Sequence, residues 1–265
     1  MPEGHTIRRA AAEHARRFGG HVVGATSPQG RFADGAGRID GRVLERTDAY
    51  GKHMLLDFGA DTLLHVHLGL YGGWTFGSLP PPAPRGALRL RLVGGESYAD
   101  LRGATACELW TPPDVDLLLA RLGPDPLRAD AEPARAWARL SRSRAAIGQL
   151  LMDQSVVAGI GNVFRAELLF RARISPYRAG RAVSRSEWDA LWADVVTLMR
   201  AGLRTGRIVT TVPADRERPR GAARAEDAHY VYRRAGLPCR VCGATIRTEQ
   251  LAGRNLFWCP RCQRR

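Results

Sequence analysis

The chain has 265 residues, of which 45% are hydrophobic and 25% charged, with a formal net charge of +14 at pH 7 and a sequence pI near 10.8. That length accommodates two domains with real cores, the composition is that of a soluble globular protein, and no apolar run approaches the roughly 20 residues needed to span a bilayer. The excess of positive charge points to a nucleic acid partner; an anionic membrane, the competing polyanion, finds no basic amphipathic anchor or lipidation signal here.

In chain order, the first element is a helix over residues 2–17, with Ile7, Ala10, Ala11 and His14 at helical spacing and Gly19-Gly20 ending it. Glu3, His5 and Glu13 make this N-terminus unlike a signal or transit peptide, which leaves a cytoplasmic location as the expectation. Pro2 follows Met1, and a small second residue normally lets the initiator Met be removed, leaving Pro2 with a free secondary amine. An α-amino group titrates near 7.7–8.0 against roughly 10.4 for lysine, so far more of it is unprotonated at neutral pH. A secondary amine attacking a carbonyl carbon gives a cationic iminium, an electron sink for eliminations. Glu3, immediately adjacent, can supply the general acid.

From there to about residue 110 the signals are strands and turns. Leu55-Leu56-Asp57-Phe58 and Thr62–Leu68 are strand candidates, and Leu88–Leu92 alternates strictly, as a half-buried strand should. The proline-rich stretch Leu79–Pro84 is a loop. His65 and His67 alternate on one strand face; with no third ligand evident nearby they read as structural. Cys107, alone in a short apolar stretch, reads as a small buried hydrophobe.

After Thr111-Pro112-Pro113 the pattern turns helical. One helix runs through Ile147, Leu150 and Leu151 and halts at Gly159-Ile160-Gly161. Another starts near Asn162 and carries Phe164, Leu168 and Leu169; its first amides point outward, where a phosphate can sit. Ser184 with Glu187 forms a capping box ahead of the stripe Trp188, Leu191, Trp192, Val195, Leu198 and Met199. Residues 213–228, with Pro213, Pro219 and Gly221 among many charges, read as a mobile loop.

The last segment carries the strongest single motif. Cys239-x-x-Cys242 and Cys259-x-x-Cys262 are separated by 16 residues (243 to 258), a spacing that suits two zinc knuckles on a β-hairpin. Four thiolates make a closed tetrahedral site, so the one zinc expected is structural. Arg254, beside Gly253 at the hairpin tip, is well placed to reach a phosphate.

One further feature is compositional. Of the 40 basic residues, Lys52 alone is a lysine, and asparagine occurs only as Asn162 and Asn255. A lysine retained in a chain that otherwise uses arginine suggests work a guanidinium cannot do, since an ammonium can give up its proton when its surroundings lower its pKa.

Pro2-Glu3-Gly4-His5-Thr6, Gly51-Lys52-His53, the Asp153-Gln154 to Asn162 segment and the four-cysteine finger containing Arg254 together resemble the formamidopyrimidine-DNA glycosylase and endonuclease VIII family. They fall in the family's order and cover essentially the whole chain; the Pro-Glu-Gly opening looks more like the endonuclease VIII branch, particularly its actinobacterial members. The resemblance implies a bifunctional DNA glycosylase and AP lyase that removes oxidised bases, pyrimidines favoured, by β,δ-elimination. It implies Pro2 as Schiff-base nucleophile, Glu3 as proton donor and Lys52 as the donor associated with β-elimination and a phosphate contact. Asn162, Arg254 and Arg121 would grip DNA, Arg254 serving also in δ-elimination. A flipped base leaves a void to be filled, and Leu70 and Tyr71 are the wedge candidates. Gly69 departs from the pattern, because this branch carries a larger polar residue there.

The fold expected is α+β in three parts: a β-sandwich with a leading helix (1–112), a helix–two-turns–helix domain (113–228) and a zinc finger (229–265). DNA would lie in the basic cleft between the two halves, with the chain acting as a monomer on double-stranded DNA in the bacterial cytoplasm, associated with the nucleoid. Two rivals stand beside this reading: the same scaffold with a preference for oxidised purines such as 8-oxoguanine or formamidopyrimidines, and a non-catalytic DNA-binding zinc protein.

Overall fold

In the computed structural model, which describes residues 2–264, the first helix, α1, runs Gly4–Phe18 rather than from residue 2. Glu3 is its N-cap, with extended backbone (φ −125°, ψ 176°), so the helix cannot begin earlier. Ile7, Ala10, Ala11, His14 and Phe18 make up its buried stripe.

Nine antiparallel strands follow in two sheets. β1 (Val22–Thr26), β2 (Arg42–Val43), β6 (Gly73–Ser78), β7 (Leu88–Gly94) and β8 (Ser97–Arg102) form one, in the order β2-β1-β7-β8-β6. β3 (Arg46–Tyr50), β4 (His53–Asp57), β5 (Leu63–His67) and β9 (Ala106–Trp110) form the other, in that order. A short helix, α2 (Ala33–Ile39), joins β1 to β2. Inward residues of both sheets share one core with α1: Val23, Met54, Leu56, Leu64, Val66, Leu90, Leu92 and Leu101 meet Ile7 and Phe18.

β7 is covered on both faces, which the alternation does not reveal. Arg91, expected outward, is only 6% exposed. It makes a paired contact with Asp100 at 2.7 and 2.9 Å and donates to Pro82 O at 2.8 Å, so the proline-rich loop lies over it. Burying that charge is tolerable because a carboxylate and a carbonyl take up its donors.

The chain folds as two compact units, Met1–Arg121 and Leu122–Arg265. Helix α3 (Pro112–Arg121) therefore goes with the sheets, although the helical pattern starts at its first residue. The second unit holds α4 (Pro133–Leu140), α5 (Ile147–Leu150), α6 (Asn162–Arg171), α7 (Arg185–Thr205) and the hairpin β10 (Arg247–Leu251) and β11 (Arg254–Trp258).

The helix expected from Ile147 toward Gly159 is a single turn, α5, followed by irregular turns up to Gly161. Gln154 explains the break. Its side chain donates to Ile160 O at 3.0 Å and accepts from Gly159 N at 2.9 Å, replacing helical bonds. Gly159 sits at φ +91°, a conformation that favours glycine. The capping box forms as expected, with both Ser184 and Glu187 side chains engaged.

Residues 213–228 are irregular but not untethered. Asp227, 1% exposed, pairs with Arg240 at 3.1 Å and accepts from Glu217 N at 3.2 Å. Glu167 of α6, fully buried, accepts from the backbone amides of Tyr230, Val231 and Tyr232 at 2.7 to 2.8 Å and from the Thr210 hydroxyl. One carboxylate thus fixes the strand of chain that leads into the cysteine module.

Candidate active site and zinc centre

In the first unit, α1 is laid along β3 in a defined register. Thr47 Oγ1 donates to Ala11 O at 2.9 Å, and Arg8 Nη1 donates to Asp48 Oδ1 at 2.7 Å and to Ala49 O at 3.0 Å. As the numbers fall on the helix they rise on the strand, which carries the start of α1 toward Tyr50-Gly51-Lys52. Glu3 is fully buried there and Pro2 half-buried. His5, also buried, has its pKa lowered to about 4, chiefly by burial.

Lys52, half-buried, occupies the two-residue turn between β3 and β4, in which Tyr50 pairs with His53. His53 in turn pairs with His67 at the end of β5. The Lys52 turn and the loop 68–72 therefore lie side by side at one end of the sheet. That loop displays Leu70 and Tyr71, which are 48% and 91% exposed. Gly69 has φ +67°, and a Cβ there would lie 1.9 Å from Thr105 Oγ1. A larger residue at position 69 requires both Thr105 and the backbone to give way. Arg121, exposed at the end of α3, is near enough to lower the pKa values of His53 and His65.

Sequence reasoning overlooked the third imidazole beside His65 and His67. His53 Nδ1 lies 2.9 Å from His65 Nε2, and His65 stacks on Trp110 with ring centroids 3.6 Å apart. Burial lowers His53 to about 4 and His65 to about 3. The signal was available, since cross-strand pairing of β4 with β5 places His53 opposite His67. These rings form a hydrogen-bonded, stacked array, and among the described residues the cluster suited to a metal is the four cysteines. Cys107 is buried, and burial pushes its thiol up to about 12.

In the second unit, Asn162 is the first residue of α6 and is 7% exposed. Its Nδ2 donates to Asn255 O in β11 at 2.9 Å, and its Oδ1 accepts from Arg165, which also donates to Asn255 O at 3.0 Å. Arg254, exposed, precedes Asn255 directly, so the finger tip and the α6 N-terminus form one patch. The tip is a two-residue turn, Ala252-Gly253, with φ values of 51° and 71°, as a hairpin of this kind needs.

The four cysteine Sγ atoms all lie within 4.8 Å of one another, with Cys239 to Cys262 at 3.9 Å and Cys242 to Cys259 at 3.5 Å. Sulfurs at the corners of a zinc tetrahedron, with bonds near 2.3 Å, stand about 3.8 Å apart, so the residues fit one structural zinc. Gln263, fully buried, accepts from Cys259 N at 2.9 Å and donates to Ile174 O at 3.0 Å, tying the second knuckle to the chain after α6. Val163, Ala166 and Phe170 of α6 pack with Tyr230, Ile246, Phe257 and Cys259.

Three family profiles match along the chain: the formamidopyrimidine-DNA glycosylase N-terminal domain over residues 1–107, the formamidopyrimidine-DNA glycosylase H2TH domain over 122–214 and the zinc finger found in FPG and IleRS over 236–265. Endonuclease 8 1 of Mycobacterium tuberculosis is 52% identical over 267 residues, covering 99% of this chain and 100% of the relative. A formamidopyrimidine-DNA glycosylase of Methylococcus capsulatus is 35% identical over 276 residues, covering 100% of this chain and 99% of that one. Among solved structures, Lactococcus lactis Fpg in complex with DNA containing N7-benzyl-Fapy-dG has the same fold, with a TM-score of 0.82 at 22% identity and full coverage of both chains. No helix among the described residues is long and apolar enough to cross a membrane. On these profile and full-length matches, the chain belongs to the formamidopyrimidine-DNA glycosylase and endonuclease VIII family of base-excision-repair DNA glycosylases, enzymes that are also AP lyases.

Proposed function

We propose that this enzyme removes oxidised bases, pyrimidines favoured, from double-stranded DNA through a Schiff base on the amine of Pro2, exposed once Met1 is lost. The observation that carries the reading is the placement of Pro2 and Glu3. Glu3 is fully buried as the N-cap of α1, and the register of α1 on β3 directs both residues toward the Lys52 turn. The Pro2 nitrogen attacks C1′ of the sugar and loses its proton as the damaged base leaves; Glu3 then protonates O4′, so that the C1′–O4′ bond breaks and the ring opens to an iminium. The iminium acidifies the C2′–H, and loss of that proton expels the 3′ phosphate; loss of the C4′ proton through the conjugated iminium then expels the 5′ phosphate. Lys52 assists base loss and the first elimination and holds a phosphate. Asn162, Arg254 and Arg121 bind the DNA backbone, Arg254 assisting the second elimination, while Leu70 and Tyr71 fill the space left by the flipped base.

The pyrimidine preference is what the resemblance to the endonuclease VIII branch implies, and the relative named endonuclease 8 1, 52% identical over its whole length, carries that branch's name. The test is a panel of duplexes, each with one defined lesion, including oxidised pyrimidines and 8-oxoguanine, with borohydride trapping. Faster excision of the pyrimidines and a covalent cross-link lost in Pro2→Gly are expected. An equal trap by Pro2→Gly, or by a chain retaining Met1, removes the mechanism; faster excision of 8-oxoguanine reverses the preference.

A further inference from the structure

The loop carrying Leu70 and Tyr71 is held by more than its two ends. Leu68, 2% exposed, anchors it in the core. Gly72 N donates to Leu68 O at 3.0 Å, and Thr105 N, from the connection between β8 and β9, donates to His67 O at 2.9 Å. The third tether is a side chain: Gly69 N donates to His67 Nδ1 at 3.2 Å. Because Gly69 can bear no side chain against Thr105 in this conformation, its N–H is the handle by which the start of the loop can be gripped.

The acceptor in that bond is an imidazole lone pair, present only while His67 is neutral with its proton on Nε2. Burial first, and then the nearby positive charge, favour the neutral form. Lys52, in the turn before β4, acts on His67 directly. His53 of β4 stands 5.0 Å from it, ring to ring, and continues to His65 of β5; Arg121 of α3 bears on both of these. Glu108 of β9, 3.9 Å from His65 Nδ1, is the acidic group facing the array.

We propose that His67 is a positioning residue for the Leu70–Tyr71 wedge, its Nδ1 lone pair holding Gly69 N–H and so fixing the loop before DNA arrives. The inference rests on Leu70 and Tyr71 being the wedge. A wedge already in its working conformation loses less entropy on insertion, so more of its contact energy offsets the few kcal/mol of unstacking. Protonating Nδ1 would set a donor against a donor and release the tether.

The test separates wedge insertion from chemistry. Single-turnover base excision from a duplex needs both; strand cleavage at a pre-formed abasic site in single-stranded DNA has no base to flip and no void to fill. In His67→Ala the ratio of the first rate to the second should fall between about tenfold and a hundredfold, the scale of a small misplacement. Fluorescence of 2-aminopurine opposite the lesion should report slower insertion. His67→Asn, whose side-chain oxygen can accept from the amide two residues on, should restore the ratio at neutral pH. It should also hold that ratio as pH falls below the ordinary imidazole range, where the wild-type ratio declines as His67 protonates. A ratio within twofold of wild type in His67→Ala, or a His67→Asn as deficient as His67→Ala, overturns the proposal. Absence of both base excision and borohydride trap with the wild-type chain would remove the proposed function and this proposal together, whereas normal excision and trapping with an unchanged ratio removes this proposal alone.

Discussion

The side-chain amide of Asn162 donates to the backbone carbonyl of Asn255 at 2.9 Å, and these are the two asparagines of the chain. The bond joins residues 93 apart, fastening the first turn of α6 to the strand that follows the finger tip. An arginine-rich chain keeps a short neutral amide here because the site needs one donor toward a carbonyl and one acceptor toward Arg165 in the same small group.

The direction of that bond makes the two positions unequal. Asn162→Ala deletes the donor and removes one of the acceptors of the buried Arg165, which should cost about 1–3 kcal/mol in thermal unfolding. Asn255→Ala keeps the carbonyl and should cost under about 0.5 kcal/mol, as other exposed substitutions do. Equal losses for the two variants would mean that the contact does not hold the finger.

Zinc removal should reach beyond the cysteines. Because Tyr230, Val231 and Tyr232 share a cluster with Ile246, Phe257 and Cys259, a strong chelator should abolish the near-ultraviolet circular dichroism of Tyr230, Tyr232 and Trp258 as well as release one zinc per chain. The metal supplies on the order of 10–16 kcal/mol in such modules. An aromatic spectrum unchanged after complete zinc release would sink this expectation.

His14 should make the first unit acid-sensitive. It is fully buried, donates from Nδ1 to Ala10 O at 2.8 Å, and leaves Nε2 against Trp74 and Phe76, with burial lowering its pKa from 6.5 to about 4. Below pH 6.5 the unfolded chain binds a proton that the folded chain refuses, so stability is full above that pH and falls as pH drops toward 4. The loss by pH 4 is on the order of 3 kcal/mol from this one group. His14→Phe should flatten the pH dependence of unfolding by about that amount; an unaltered slope between pH 4 and 6.5 would count against it.

Lys52→Arg should keep DNA binding nearly intact and lose most base excision. The charge survives, and so do long-range attraction and phosphate pairing, but a guanidinium is larger, planar and fixed in its protonation. General acid–base participation contributes roughly 10²–10⁴-fold, so a fall of that size is expected in single-turnover excision. Cleavage of a pre-formed abasic site should fall less, because Pro2 can still attack the open sugar. Excision within about twofold of wild type would reduce Lys52 to a plain positive charge.

What the sequence determined by itself is what short-range chemistry specifies. The cysteine spacing dictates a closed metal site, Ser184 and Glu187 dictate a helix start, and the alternating leucines of β7 dictate a strand. Each depends on neighbours a few residues apart, or on a metal that brings its ligands together. The one-turn length of α5 was hidden because Gln154 competes with helical bonding through its side chain, which no hydrophobic period records. The burial of Arg91 is not visible in the alternation, which describes one face of a strand and says nothing of a loop folded over the other. Only the tertiary structure decided which residues meet. Asn162 finds Asn255, Glu167 gathers three amides from residues 230–232, and His53 closes on His65 and His67. Those meetings are set by strand register and by how α6 packs on the finger, and both are fixed by burial summed over many distant side chains rather than by any local motif.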